Sequence, residues 1–148
     1  MLFFLANMSH KCDYRRLILI VGNETWEDYM KVLTEANQQK VINLLLEQME
    51  ASYQRFKATH EEALLQMEIG IGEGFSSAIV IINNAVEEDG IFTEKHLDRI
   101  RCAADCEESK SKRFEDADDN TRIFWRHEVA ALMTAYTLAQ SHMTEAQG

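Results

Sequence analysis

Proline is absent from this 148-residue chain, and glycine and cysteine are scarce, at six and three residues. Average usage would supply about seven prolines, the strongest breakers of helix interiors, so long uninterrupted helices are permitted throughout. The three cysteines, Cys12, Cys102 and Cys106, cannot all pair within one chain, and their spacing resembles no secreted disulfide framework. We therefore predict a cytoplasmic protein with one domain, 1–148, whose folding requires no disulfide or structural metal.

Basic residues are outnumbered, with 15 Lys and Arg against 25 Asp and Glu, which gives a formal net charge of −10. A field of this sign repels nucleic-acid phosphates and anionic lipids, so direct nucleic-acid binding is disfavoured. It attracts a basic surface on a partner protein, although surplus acid is also a common device for solubility. The charge thus favours a protein partner with a basic surface without identifying it.

Long apolar runs are missing as well. Interior runs such as Leu17–Val21 and Ala78–Ile82 contain five residues each, far fewer than the roughly 18 of a membrane-spanning helix, so we expect no membrane association. The apolar start Met1–Ala6 has no basic region before it and is too short for an export signal. Met8 is a second candidate start, which would make residues 1–7 a disposable extension.

The spacing of apolar residues predicts an all-α fold, a single compact bundle-like domain of five or six helices. From Ile42 onward, apolar residues recur at steps of three and four, which predicts one long helix over about 38–68 with His60 on its apolar face. The glycines between Gly70 and Gly74 are expected to break this helix. A central helix, buried on most sides, then resumes at Phe75.

The second half of the chain carries clear helix boundaries. Asp89–Gly90 predicts a helix end, and Thr93 predicts the cap of a helix that fades into the charged residues 107–119, an exposed helix or a mobile connection. The last helix is predicted over about 121–143. Its heptad-like stripe could pack internally or form a dimer, so the oligomeric state stays open.

Two elements are expected near the N terminus. Tyr14–Val21 is interpreted as helix, and the alternative of a buried strand stays open because a short β-branched run suits either. Thr25 and Asp28 resemble a capping box, which predicts a helix starting near Trp26.

The alternating glycines Gly70, Gly72 and Gly74 precede a helix, where backbone N–H groups could cradle a phosphate. The lysine of a phosphate-binding loop is missing, and Glu73 would repel an anion. We therefore prefer a plain turn between helices at these glycines.

Cys102 and Cys106 lie four residues apart and share a helix face, and His10, Cys12 and His96 could in principle complete a zinc set. However, His96 projects about 120–160° away from the two cysteines around the helix. Two partly buried thiols are the preferred interpretation.

Asp116, Asp118 and Asn120 occupy the first, third and fifth positions of a calcium-loop pattern. Thr121 replaces its essential glycine and His127 replaces its bidentate glutamate. Acids at the N terminus of the last helix, which favour its dipole, are the preferred explanation. These three residues and Asp89 are weak candidate ligands for a divalent cation, and no other cofactor is predicted.

Acidic residues on helices also suggest two metal-dependent helical classes. Glu47 and Glu50 supply the first half of the ExxE and ExxD pattern that resembles all-α nucleotide pyrophosphohydrolases, with Glu115 and Asp118 as the only second half. That interval is longer than the family's, so a magnesium-dependent hydrolase is a remote alternative. A ferritin-like di-iron site is excluded because no histidine has a glutamate three residues before it.

Residues 84–100 contain a helix, the Asp89–Gly90 pair, Thr93 and a second helix. This helix corner resembles that of the TerB-like tellurite-resistance domains, although the acid usual in the second helix is replaced near His96 and Leu97. The resemblance covers about a ninth of the chain. It implies a small acidic helical domain linked to metal binding and stress response, which is our alternative function.

No catalytic residue is assigned, so we expect no enzyme activity. The favoured hypothesis is a small acidic helical module that binds a protein partner and modulates or inhibits it, as inhibitors, immunity proteins and chaperones do. Aromatic residues at Trp26, Tyr29, Phe124 and Trp125 could anchor the partner. The predicted electrostatic contact is formed by six acids, Glu107, Glu108, Glu115, Asp116, Asp118 and Asp119.

Overall fold

Four helices account for 82% of the described residues, 31–146, in the computed structural model. The order of elements is β1 (Lys31–Leu33), α1 (Glu35–Ala58), α2 (Glu62–Asp89), β2 (Phe92–Thr93), α3 (Glu94–Arg113), α4 (Asp119–Ser141) and β3 (Thr144–Glu145). The predicted all-α class is confirmed, but this part of the chain holds four helices rather than five or six. The predictions for 1–7, Tyr14–Val21 and the helix start near Trp26 lie outside the described residues.

Three very short strands form an antiparallel sheet that the sequence did not predict. Their order is β2, β1, β3, with Val32 paired to Thr93 on one side and to Thr144 on the other. Strands of two or three residues are too short to show an alternating apolar pattern, which explains why they were missed. The sheet ties the start of α1 to the connection between α2 and α3 and to the end of α4.

The predicted long helix over 38–68 is wrong, because the chain leaves the helical conformation at Thr59. The Thr59 hydroxyl accepts a hydrogen bond from the backbone N–H of Glu61 at 3.3 Å, a local bond that competes with helix continuation. His60, predicted on the apolar face, instead lies exposed in the connection between α1 and α2. Apolar residues continue to recur at steps of three and four across this connection, although it is not helical.

The predicted helix break at Gly70–Gly74 is also wrong, because α2 runs through these glycines without interruption. Two of them let the backbones of α2 and α4 approach closely. A Cβ atom at Gly70 would overlap the carbonyl oxygen of Phe124, and one at Gly74 would lie 2.5 Å from the carbonyl oxygen of Glu128. Glycine is required here by the helix contact, and the helix tolerates its low propensity.

The hydrophobic core lies where α2 packs against the other helices. Its largest fully buried side chains include Leu45 of α1, Ile82 of α2, Ile100 of α3 and Leu132 of α4. The expectation that the central helix is buried on most sides is wrong at Val80, which is 52% exposed. One face of α2 is therefore not covered by the described helices.

By length and composition α2 could cross a membrane, the one helix within residues 31–146 that passes this test. The central helix of a water-soluble bundle passes the same test, so the finding is weak. The helix contains the five-residue run Ala78–Ile82, and apolar residues outside that run raise the mean hydropathy of the helix.

The helix boundaries predicted in the second half of the chain agree closely with the structure. Gly90 ends α2 with φ of +75°, the left-handed conformation that favours glycine, and its N–H donates to the Val86 carbonyl. Thr93 is the N-cap of α3, as predicted. The last helix begins two residues before the predicted 121 and ends two residues before 143.

Candidate functional site

An aromatic pair marks the connection between α3 and α4, with Phe114 exposed and Trp125 partly buried. Phe114 is 52% exposed, and its ring centroid lies 6.0 Å from that of Trp125, which comes from the first turns of α4. The Arg113 guanidinium lies 5.8 Å from the Phe114 ring. A shallow cavity of about 610 Å³ opens beside the pair, lined also by Glu115, Asp116, Ala117 and Thr121. We call residues 113–119 with Trp125 the acidic aromatic surface.

Arg122 holds the backbone of this connection in place. Its guanidinium donates to the carbonyl oxygens of Ser111 at 2.9 Å, Phe114 at 3.1 Å and Glu115 at 3.0 Å. Ser111 lies in the last turn of α3, where carbonyl oxygens lack helical partners, and Phe114 is the C-cap of that helix. Because one side chain satisfies them and spans the loop, the surface is ordered before any partner binds, which lowers the entropic cost of binding.

The six acids predicted to contact a partner divide into two groups. Glu107 lies half-buried on α3, where its carboxylate accepts a hydrogen bond from Lys110 at 2.8 Å. The other five are exposed: Glu108 lies on α3, and four belong to the acidic aromatic surface, namely Glu115, Asp116, Asp118 and Asp119. The charged residues 107–119 are thus helix as far as Arg113 and a short connection afterwards.

Asp118 serves as the N-cap of α4 and accepts a hydrogen bond from the Thr121 backbone N–H at 2.7 Å. This bond lowers the pKa of the Asp118 carboxyl. The geometry is that of a helix start, as expected for acids placed before a helix dipole. Within residues 31–146 no group of three or more His, Cys, Asp or Glu side chains is arranged to hold a metal ion.

Asp89, the remaining cation candidate, takes part in the corner between α2 and α3. Its carboxylate pairs with Lys95 at 2.9 Å and with Nε2 of His96 at 2.6 Å, and the Lys95 bond is the main cause of its lowered pKa. His96 is fully buried, and its Nδ1 accepts the backbone N–H of Thr93 at 2.9 Å. Nε2 must then carry the hydrogen and donate it to Asp89. Burial lowers the pKa of His96, so the ring is neutral at pH 7.

The two cysteines of α3 differ in chemistry. Cys102 is disulfide-bonded and 3% exposed, whereas Cys106 has a free thiol and is half-buried. The interpretation as two partly buried thiols is therefore wrong for Cys102. A disulfide sulfur is no thiolate, so in this state Cys102 is unsuited to ligate zinc.

A carboxyl pair between α3 and α4 was missed by the sequence analysis. Glu128 is only 8% exposed, and its Oε1 has no hydrogen-bond partner among the described residues. Burial, with a hydrogen bond to Glu107, raises the pKa of Glu128 to about 8. Burial alone would raise the pKa of Glu107 too, but hydrogen bonds from Glu128 and Lys110 outweigh it and lower that pKa. At neutral pH the pair shares one proton and joins α3 to α4.

A second polar cluster joins α1 to α2 and was also missed. Glu68 is 4% exposed and accepts hydrogen bonds from Arg55 at 2.7 Å and from the Ser52 hydroxyl at 2.6 Å. Both Ser52 and Glu68 lie seven residues from a buried core residue, Leu45 and Phe75 respectively. That spacing places them on the buried helix faces and was the signal available in the sequence. Both carboxylate oxygens are satisfied, so the cluster has a structural role.

The acids of the remote hydrolase alternative do not lie on facing core helices. Glu47 and Glu50 are exposed on α1, whereas Glu115 and Asp118 are exposed in the connection before α4. No family model, no curated protein and no solved structure matches this chain. The resemblance to TerB-like domains therefore rests on the α2–α3 corner alone.

Proposed function

We propose that this chain is an acidic helical protein-binding module that modulates or blocks a partner protein with a basic surface. The acidic aromatic surface supports the proposal best, because the exposed Phe114 ring and the partly buried Trp125 ring lie among exposed carboxylates on a connection that Arg122 already orders. Within this arrangement the aromatic pair anchors the partner and the acids select its charge.

The two parts of the surface contribute differently to binding. Aromatic side chains at the centre of an interface supply most of the binding energy, because they bury a large apolar area at little entropic cost. Surrounding charges act mainly on the association rate by steering the encounter. The net charge of −10 extends this attraction well beyond the contact itself.

The metal-linked and hydrolase alternatives are carried by no observation in residues 31–146. Asp89 is already engaged by Lys95 and His96, and Asp118 by the N–H of Thr121. Neither residue belongs to a group of three or more His, Cys, Asp or Glu side chains that could hold a metal ion within this part of the chain.

The experiment that tests the proposal begins with zero-length carbodiimide cross-linking in cells, which joins carboxylates directly to lysine amines. A partner that uses the acidic aromatic surface yields peptides linked to Glu115 or Asp116. The same partner is then purified and its association rate is measured by surface-based kinetics. Cross-links confined to other faces of the molecule would refute the proposal.

Charge reversal provides the quantitative test. The variant Glu108→Lys, Glu115→Lys, Asp116→Lys leaves the Asp118 cap and the first turn of α4 intact, and it is expected to slow association by about tenfold or more. A matched control reverses three exposed acids elsewhere, Glu47, Glu87 and Glu145. Equal effects of the two triple variants would show that only net charge matters, and the assignment of the surface would then be wrong.

A further inference from the structure

The outward face of α1 carries a regular stripe of exposed residues. Leu46, Glu50, Tyr53 and Lys57 follow each other at steps of four, three and four, and all four are exposed. The two apolar members expose 48% and 53% of their surface. Lys57 lies over the Tyr53 ring at 5.0 Å from its centroid. Along the stripe the acid therefore precedes the aromatic residue and the base follows it.

A groove of about 340 Å³ runs beside this stripe between α1 and α2. Met49, Tyr53 and Phe56 form one wall and Ile69 forms the other. The buried carboxylate beneath the groove belongs to Glu68, whose two oxygens are already bonded within the chain. The groove can therefore be covered without leaving that charge unpaired.

The wall formed by α2 continues the same exposed face. Ile69 and Val80 are eleven residues apart, which returns to nearly the same side of a helix, and they are 38% and 52% exposed. The most apolar 18 residues of α2 are only 33% buried inside the protein. Contiguous apolar surface of this kind usually marks a contact site.

We propose that this α1–α2 face binds the same face of a second copy of the chain, so that the protein forms a two-fold symmetric dimer. The order of charges along α1 selects this occupant. When two α1 helices pack antiparallel with Tyr53 near the two-fold axis, Glu50 of each copy faces Lys57 of the other. A two-fold contact must be self-complementary, and this stripe meets that requirement.

Charge also explains why the contact lies on this face. Two copies that each carry −10 repel one another over most of their surface. On the α1 stripe the acid and the base balance, and Arg55 neutralises Glu68 behind it. The α1 stripe is therefore a place where two copies can approach with balanced charges, and Glu73 of α2 is the exposed acid that lines the adjoining groove.

Sedimentation velocity of the full chain over a hundredfold range of concentration tests the dimer. The wild type is expected to show a reversible monomer–dimer equilibrium. Glu50→Lys and Lys57→Glu are each expected to raise the dimer dissociation constant about tenfold, because every change occurs twice across the axis. The double variant Glu50→Lys, Lys57→Glu restores opposite charges and is expected to return to within about threefold of wild type.

Two variants with the same change in net charge distinguish a specific contact from general charge repulsion. Glu50→Lys makes the chain less acidic, as does the control Asp116→Lys in the connection between α3 and α4, so only a specific contact predicts that the first weakens the dimer and the second does not. All of these positions are exposed, so the variants are expected to fold, and circular dichroism checks that they do. The proposal would be overturned if the wild type stayed monomeric at every concentration. This holds even if the face then proved to bind vesicles or another protein. A double variant weaker than both single variants would overturn the proposal as well.

Discussion

Replacing Gly74 with alanine tests whether the glycines of α2 are there for helix contact. A Cβ atom at this position would lie 2.5 Å from the Glu128 carbonyl oxygen and 2.6 Å from the Ala131 Cβ. Neither atom can rotate away, since one belongs to the backbone of α4 and the other is a methyl group held by it. The two helices would have to separate, and overpacking of this kind costs about 1–3 kcal/mol.

Gly72 is the matched control, because it lies in the same helix two residues away and an added Cβ meets nothing within 4 Å. Both substitutions gain the same helix propensity, about 1 kcal/mol relative to glycine. The difference between the two variants therefore isolates the overpacking cost of about 1–3 kcal/mol. For a chain of this size it corresponds to melting temperatures about 3–9 °C apart.

The measurement is thermal and urea unfolding of the two alanine variants, followed by circular dichroism at one protein concentration. Gly72→Ala is expected to be more stable than wild type and Gly74→Ala less stable, with equal dependence on urea. If Gly74→Ala proves as stable as Gly72→Ala, the close approach of α2 and α4 is not what requires glycine, and the packing argument fails.

Three further predictions concern titration and the α3–α4 connection. The folded state holds the Glu128 proton up to about pH 8, so the contribution of this residue to stability is lost as pH rises from 4.5 to 8. The melting temperature of Glu128→Gln relative to wild type should therefore increase over that range. A constant difference would show that the carboxyl is ionised throughout. Because the pKa of His96 is lowered in the folded state, the protein should lose stability as pH falls below 6.5. The variant His96→Gln can still accept the N-cap N–H, and its thermal melts between pH 7 and 5 should no longer show this pH dependence of stability. Arg122→Ala should speed amide hydrogen exchange in residues 114–118 while leaving α1 protected; unchanged exchange would show that the guanidinium does not order the loop.

The parts of the fold that the sequence predicted are those governed by local chemistry. Gly90 and Thr93 act within a few residues of themselves, so the end of α2 and the start of α3 could be placed correctly. Gly70 and Gly74 could not be interpreted from local preference, because their role depends on a helix more than fifty residues away. The break at Thr59 was missed for the opposite reason, since apolar periodicity continued across a short connection.

The candidate site, too, was only partly predictable from the sequence. The exposed acids were recognisable because charge density is visible in the sequence. The function of Arg122 was not, because its partners are carbonyl oxygens, which every residue carries and no sequence pattern displays. Glu128 was detectable in principle, since it lies four residues before the buried Leu132, but its pairing with Glu107 requires knowledge of how α3 packs on α4.

The bonds of Arg122 have a consequence for how this protein could change its specificity. Because the guanidinium recognises the main chain of residues 111–115 and not their side chains, the shape of the connection is encoded outside the connection itself. Substitutions at Glu115 or Asp116 would alter the chemistry that is displayed while the path of the backbone stays the same. Such a framework resembles a binding loop on a rigid scaffold, in which new partners are acquired by exchanging side chains at fixed positions.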